Sequence, residues 1–169
     1  YVRRAVGICD VSTLGKIDIQ GPDAARLLDL VYTNVFSSLK VGRVRYGLML
    51  REDGIAMDDG TAARLAEDHF VVTTTTANAL PVYRHMEFVR QCLYPDMDVQ
   101  LISTTEAWAQ YAVAGPNSRK LLSKIVDQDL SNEAFPFMAC ANITICGGLR
   151  ARLFRISFSG ELAYEIAVP

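Results

Sequence analysis

Apolar residues recur along the chain in two rhythms. In GKIDIQGPDAARLLDLV, Ile17 and Ile19 alternate with Asp18 and Gln20, the period-two pattern of a half-buried strand. After Gly21-Pro22 the apolar positions Ala24, Leu27, Leu28 and Val31 fall at helical spacing. Proline suits a helix opening because the first N–H groups of a helix have no intrahelical acceptor in any case. The same arrangement returns in WAQYAVAGPNSRKLLSKIV: a strand through Tyr111, Ala112 and Val113, then Gly115-Pro116, then Leu121, Leu122 and Ile125 on one helix face. Two copies of strand–Gly-Pro–helix this far apart are too widely spaced for a solenoid. They predict two interlocked lobes built alike, with roughly residues 18–103 inserted between 1–17 and 104–169.

Between the copies, Arg43 to Leu50 and the β-branched run Phe70 to Thr75 read as strands, and Glu52-Asp53-Gly54 as a turn. Leu80, Tyr83, Met86, Phe88 and Val89 predict a helix opening near Pro81, and MDVQLIST another strand. Past the second helix, ANITI and LRARLFRISF flank Gly147-Gly148 and predict a hairpin. The fold class expected is α+β, with antiparallel sheets and flanking helices.

Composition narrows the function classes. Half of the 169 residues are apolar and the net charge is −2, without the basic stripe of a nucleic-acid binder. No run approaches the ~20 apolar residues of a membrane span, and YVRRAVGICDVS lacks the apolar core of a signal peptide. Cys9, Cys92, Cys140 and Cys146 form no C-x-x-C pair and are expected to be reduced, mostly buried thiols. His69 and His85 match no zinc spacing, so no metal site is expected. No initiator Met opens the chain and an apolar run, YEIAVP, closes it, so it is expected to be part of a longer polypeptide.

Three stretches could carry chemistry. Asp58-Asp59-Gly60 is a good turn by local preference. If extended, its two carboxylates point to opposite faces, so they cannot together clamp a metal ion and only one can face a ligand. That one would be desolvated by apolar neighbours, which suits it to proton handling. Glu161 and Glu165 lie in FSGELAYEI, and Glu165 sits among apolar residues either as an outward edge position or as a buried ligand contact that needs donors. Trp108 and Tyr111 read as core or interface aromatics, and the threonine run around Thr73 and Thr75 as good strand that could also offer hydroxyls.

Taken in order, DVSTLGK, IQGPDAARLL, RYGLMLREDGIAMDD and FSGELAYE resemble the folate-binding domain of the glycine-cleavage aminomethyltransferase family. That family carries DVSHMG, a strand–Gly-Pro–helix, Y…N-E-x-G-G-I-x-D-D and G-Y-T-G-E-x-G-Y-E. Three longer stretches, VGICDVSTLGKIDIQGPDAARLL, MDDGTAARLAEDHFVVTTTTANA and NEAFPFMACA, are similar to the branch formed by the α subunits of heterotetrameric sarcosine oxidases. The resemblance covers nearly the whole chain.

The resemblance implies the aminomethyltransferase-type folate-binding fold, tetrahydrofolate as ligand, and a cytoplasmic enzyme of sarcosine breakdown with other subunits as partners. FAD, FMN and NAD are implied elsewhere in such an enzyme. No nucleic-acid or membrane partner is implied. By position, Asp59 takes the place of the family's catalytic carboxylate, with Asp58 structural. Tyr46 falls on the tyrosine lining the folate site, and Glu165 on the carboxylate that grips the amino-pyrimidinone edge. Leu14 and Phe158 stand where the family has Met and Tyr, Phe158 losing a hydroxyl; Thr73 and Thr75 would line the same site. The family's folate-contacting arginine and its C-terminal β-barrel fall beyond Pro169, so the chain by itself is expected to be inactive. A stand-alone aminomethyltransferase of the glycine cleavage system is the alternative. So is a non-catalytic folate-binding relative, although the K-G-C-Y-x-G-Q-E signature of iron–sulfur assembly relatives is replaced here by FSGELAYE.

Overall fold

The computed structural model describes residues 1–169. It divides into two compact units, one made of Thr13–Thr105 and the other of Tyr1–Ser12 with Glu106–Pro169. No helix is long and apolar enough to cross a membrane.

The Thr13–Thr105 unit is built on strands β2 (Gly15–Gln20), β3 (Arg43–Leu50), β4 (Ala56–Ala66), β5 (His69–Thr74) and β6 (Gln100–Ser103), with helices α1 (Ala24–Val31) and α2 (Ala79–Phe88). The sheet order is β3-β4-β5-β2-β6 and every pairing is antiparallel. Ala24, Leu27, Leu28 and Val31, the positions picked out by helical spacing, are all buried. They pack on Ile17, Ile19, Phe70 and Val72 in one core. Asp29, on the same helix, accepts the backbone N–H groups of Phe36 and Ser37, clamping the loop that seats Phe36 in that core. Asp29→Ala is expected to cost about 1–2 kcal/mol, because two backbone donors lose their acceptor; urea unfolding would show the shift in midpoint.

Two expectations change here. The alternation in β2 is real, but its polar face is only partly wet: β2 lies inside the sheet between β5 and β6, and Lys16 and Asp18 are buried while Gln20 is exposed. Asp18 is compensated there by His69 Nε2 at 2.6 Å and by the Thr104 hydroxyl at 2.9 Å. In α2 the buried positions are Val82 and Met86, with Val89 just beyond, whereas Leu80 and Phe88 are exposed.

The second unit holds β1 (Gly7–Asp10), β7 (Ala109–Ala114), α3 (Ser118–Leu122), β8 (Cys140–Ile145), β9 (Leu149–Phe154) and β10 (Ala163–Val168). Its sheet order is β1-β7-β10-β9-β8, again antiparallel throughout. Val113, Leu122, Leu153, Tyr164 and Ile166 share its core. The helix after Gly115-Pro116 is shorter than its apolar spacing predicts: α3 ends at Leu122, and Ile125 is exposed.

The repeated Gly-Pro is a repeated backbone device. Gly21 and Gly115 have φ of +134° and +128°. A Cβ would lie 2.3 Å from the Asp98 carbonyl oxygen in the first case and 2.5 Å from that of Ala5 in the second. Both the angle and the space demand glycine. The cysteines correct another expectation. None of the four forms a disulfide, but only Cys140 is buried. Cys9 lies on the edge strand β1 and Cys146 in the β8–β9 turn, where no core reaches them.

Candidate functional site

The Asp58-Asp59-Gly60 run is not a turn. It lies inside β4, where Asp58 pairs with Met49 and Asp59 with Leu48 on β3. The two carboxylates therefore point to opposite faces of the sheet. Asp58 is buried, 7% exposed, and spends its oxygens on structure. It accepts the Thr75 N–H at 3.1 Å, the Thr75 hydroxyl at 2.6 Å and the Asn78 amide at 3.1 Å, tying β4 to the segment that enters α2. Burial first, and the charge on Asp58 second, hold the Tyr32 phenol well above its ordinary range.

Asp59 faces the other way and is exposed. The Tyr46 hydroxyl donates to its Oδ2 at 2.8 Å. That hydrogen bond is the main reason the Tyr46 phenol is pushed above its ordinary value, with burial and the nearby Asp charges adding to it. Tyr46 thus stays a neutral donor and orients the carboxylate, leaving Oδ1 open to a ligand. On the same face, Thr61 Oγ1 and Thr73 Oγ1 lie 2.8 Å apart. Thr73 is paired with Lys16 on β2, so Tyr46, Asp59, Thr61, Thr73 and Lys16 form one polar row across four strands. Gly60 permits this closeness: a Cβ there would lie 1.9 Å from the Thr73 carbonyl oxygen.

The other sequence-predicted residues are placed as follows. Thr75 turns to Asp58 rather than to Asp59. Leu14 is half-buried, and its carbonyl accepts the Lys16 ammonium at 2.9 Å. Phe158 and Glu165 belong to the second unit. Phe158 is fully exposed in the loop before β10. Glu165 lies on β10, between β7 and β9, which removes the edge-strand alternative. Gln110 Nε2 donates to Glu165 Oε2 at 2.5 Å. Gln110 is itself 1% exposed, and its backbone N–H donates to Ser12 Oγ at 2.9 Å. The Asp-Val-Ser run is therefore anchored to the residue that holds Glu165, since the Ser12 N–H in turn donates to Asp10 Oδ1 at 2.9 Å.

Lys16, Thr61 and Gln110 were not singled out from the sequence. Lys16 closes the STLGK run and pairs with a threonine in the register, but nothing local says a lysine will be buried. Gln110 sits in an otherwise apolar strand, WAQYAVA, which was the available signal.

A family model described as the GCVT N-terminal domain matches residues 1–169, and the chain belongs to that family. It is 59% identical, over 99% of its length, to sarcosine oxidase subunit alpha of Rhizobium meliloti (strain 1021), of which it spans 17%. It is 30% identical, again over 99% of its length, to an aminomethyltransferase of Listeria monocytogenes serotype 4a (strain HCC23), of which it spans 44%. Among solved structures, the glycine cleavage system aminomethyltransferase T from Bartonella henselae superposes with a TM-score of 0.84 at 26% identity, covering 99% of this chain and 43% of that one. The chain thus spans less than half the length of each of these relatives.

Proposed function

We propose that this chain is the tetrahydrofolate-binding part of a sarcosine oxidase α subunit, in which the imine formed from sarcosine is captured to give 5,10-methylenetetrahydrofolate and glycine. The observation that carries the reading is the division of labour between adjacent carboxylates: Asp58 is consumed by the fold, while Asp59 is held by Tyr46 with one oxygen free. The resemblance assigns catalysis to that same residue, and the 59% identity to a sarcosine oxidase α subunit supports the particular reaction.

The donor sets suit the ligand. Tetrahydrofolate, when bound, supplies the amine nitrogens that take up the one-carbon unit. Asp59 accepts and returns a proton at a nitrogen presented to its Oδ1, and Tyr46 keeps that carboxylate in one rotamer. Thr61 and Thr73 offer hydroxyls along the same face. Glu165, positioned by the Gln110 amide, offers oxygen acceptors to a ring edge with paired N–H donors. The FAD, FMN and NAD sites and the partner subunits of such an enzyme belong to the same proposal.

Calorimetric titration of tetrahydrofolate into the intact oxidase tests it. Saturable binding is expected, and Gln110→Leu is expected to raise Kd about tenfold, or about 1.4 kcal/mol, because Glu165 loses the donor that orients it. An intact enzyme that takes up no tetrahydrofolate would overturn the reading. A Gln110→Leu enzyme that binds like its parent would remove Gln110 from the site while leaving the reading intact.

A further inference from the structure

The Thr13–Thr105 unit carries a cleft that the folate reading does not use. It lies between the β3–β4 turn and α2, has a volume of about 410 Å³ and is lined by Leu50, Arg51, Glu52, Asp53, Met57 and His85. We propose that this cleft binds a small alkylammonium ion, its charged end on Glu52 and its hydrocarbon body against Leu50 and Met57.

The turn decides which charge is left for a ligand. The Arg51 guanidinium donates to Asp53 Oδ2 at 2.7 Å, and the Ile55 N–H donates to Asp53 Oδ1 at 3.1 Å. Both oxygens of Asp53 are thus engaged, and the Arg51 and Asp53 charges offset each other. The turn is closed by the Arg51 N–H on the Ile55 carbonyl at 2.8 Å and by the Gly54 N–H on the Arg51 carbonyl at 2.9 Å. Glu52 enters none of these bonds and is exposed. The charge that the cleft presents is therefore that of one carboxylate.

Across the cleft from the turn, His85 of α2 is half-buried. A neutral imidazole has one acceptor nitrogen, so Glu52 and His85 together can share the three N–H donors of an ammonium group. Met57 is half-buried and packs on the core of its unit, and with Leu50 it supplies an apolar wall. The same donor set does not suit a metal ion. With Asp53 engaged, one carboxylate and one imidazole remain, where a divalent cation needs about four to eight ligands. An organic cation needs fewer contacts at its charged end and gains by burying its hydrocarbon. The volume lies within the range of small-molecule sites, about 300–1,000 Å³.

The test uses the intact protein with carbon-13-labelled methionine methyl groups, the Met57 resonance being the one lost in Met57→Leu. n-Butylammonium, butan-1-ol and sodium chloride would each be titrated at matched ionic strength. The expected result is a saturable shift of the Met57 methyl with butylammonium and binding of butan-1-ol weaker by about tenfold or more. Glu52→Gln is expected to raise the Kd for butylammonium about tenfold or more. Glu52 is exposed in a turn, so this variant keeps the fold, which an unchanged thermal unfolding midpoint checks. No saturation with butylammonium, an equal response to sodium chloride, butan-1-ol binding as tight as butylammonium, or parent-like binding by Glu52→Gln would each overturn the assignment. The cleft shares no residue with the row of Tyr46, Asp59, Thr61 and Thr73, so this inference and the folate reading can fail separately.

Discussion

Under the function proposed above, replacing Asp59 by asparagine in the intact enzyme is expected to slow formation of 5,10-methylenetetrahydrofolate about 100-fold or more, while sarcosine oxidation continues at close to the parent rate. The substitution is nearly isosteric. The Tyr46 hydroxyl can still donate to the carboxamide oxygen, and Asp59 is exposed, so the fold has little reason to respond. What disappears is an oxygen that can accept a proton at the ligand's nitrogen. Both products would be followed in one reaction mixture, and formaldehyde should rise as the imine is lost to water instead. Parent-like folate turnover in Asp59→Asn would remove Asp59 from the chemistry.

The neighbouring residue should behave in the opposite way. Asp58→Ala is expected to destabilise the chain by about 3 kcal/mol, while Asp59→Ala stays within about 0.5 kcal/mol of the parent. Asp58 accepts three hydrogen bonds in a buried place. Its removal leaves the Thr75 N–H and hydroxyl without that acceptor, although the Asn78 amide keeps the Met57 carbonyl at 3.1 Å. Each buried donor left unsatisfied costs about 1–3 kcal/mol. Urea unfolding of the two variants side by side decides the matter: equal losses, or a larger one for Asp59→Ala, would reverse the roles assigned to the pair.

Local pattern carried α1 well, because a helix face is written into nearby residues: Ala24, Leu27, Leu28 and Val31 are spaced for one face and all four are buried on it. The two Gly-Pro corners were equally legible, since the backbone there needs a φ that glycine adopts most readily. The long strand β4 was not. Asp58, Asp59 and Gly60 all favour a turn over short range, and Ala62 and Ala63 carry no strong strand preference. Pairing with β3 on one side and β5 on the other overrides those preferences, because every residue of an inner strand satisfies backbone groups on its neighbours. Resemblance pointed to Asp59, Tyr46 and Glu165 by position. It could not say that Thr75 serves Asp58, that Phe158 stands in the open, or that Gln110 holds Glu165.

The amino-acid sequence by itself determined the family, the α+β class, the paired strand–Gly-Pro–helix corners, and the rule that two adjacent carboxylates in an extended segment cannot serve one site. Each of these rests on short-range spacing or on ordered motifs. The resemblance gave Asp58 the structural place by position; only the tertiary structure decided which side chains hold each carboxylate and which face each one takes. Those assignments depend on register between strands far apart in the chain: a shift of one residue in the β3–β4 pairing would exchange the faces of Asp58 and Asp59.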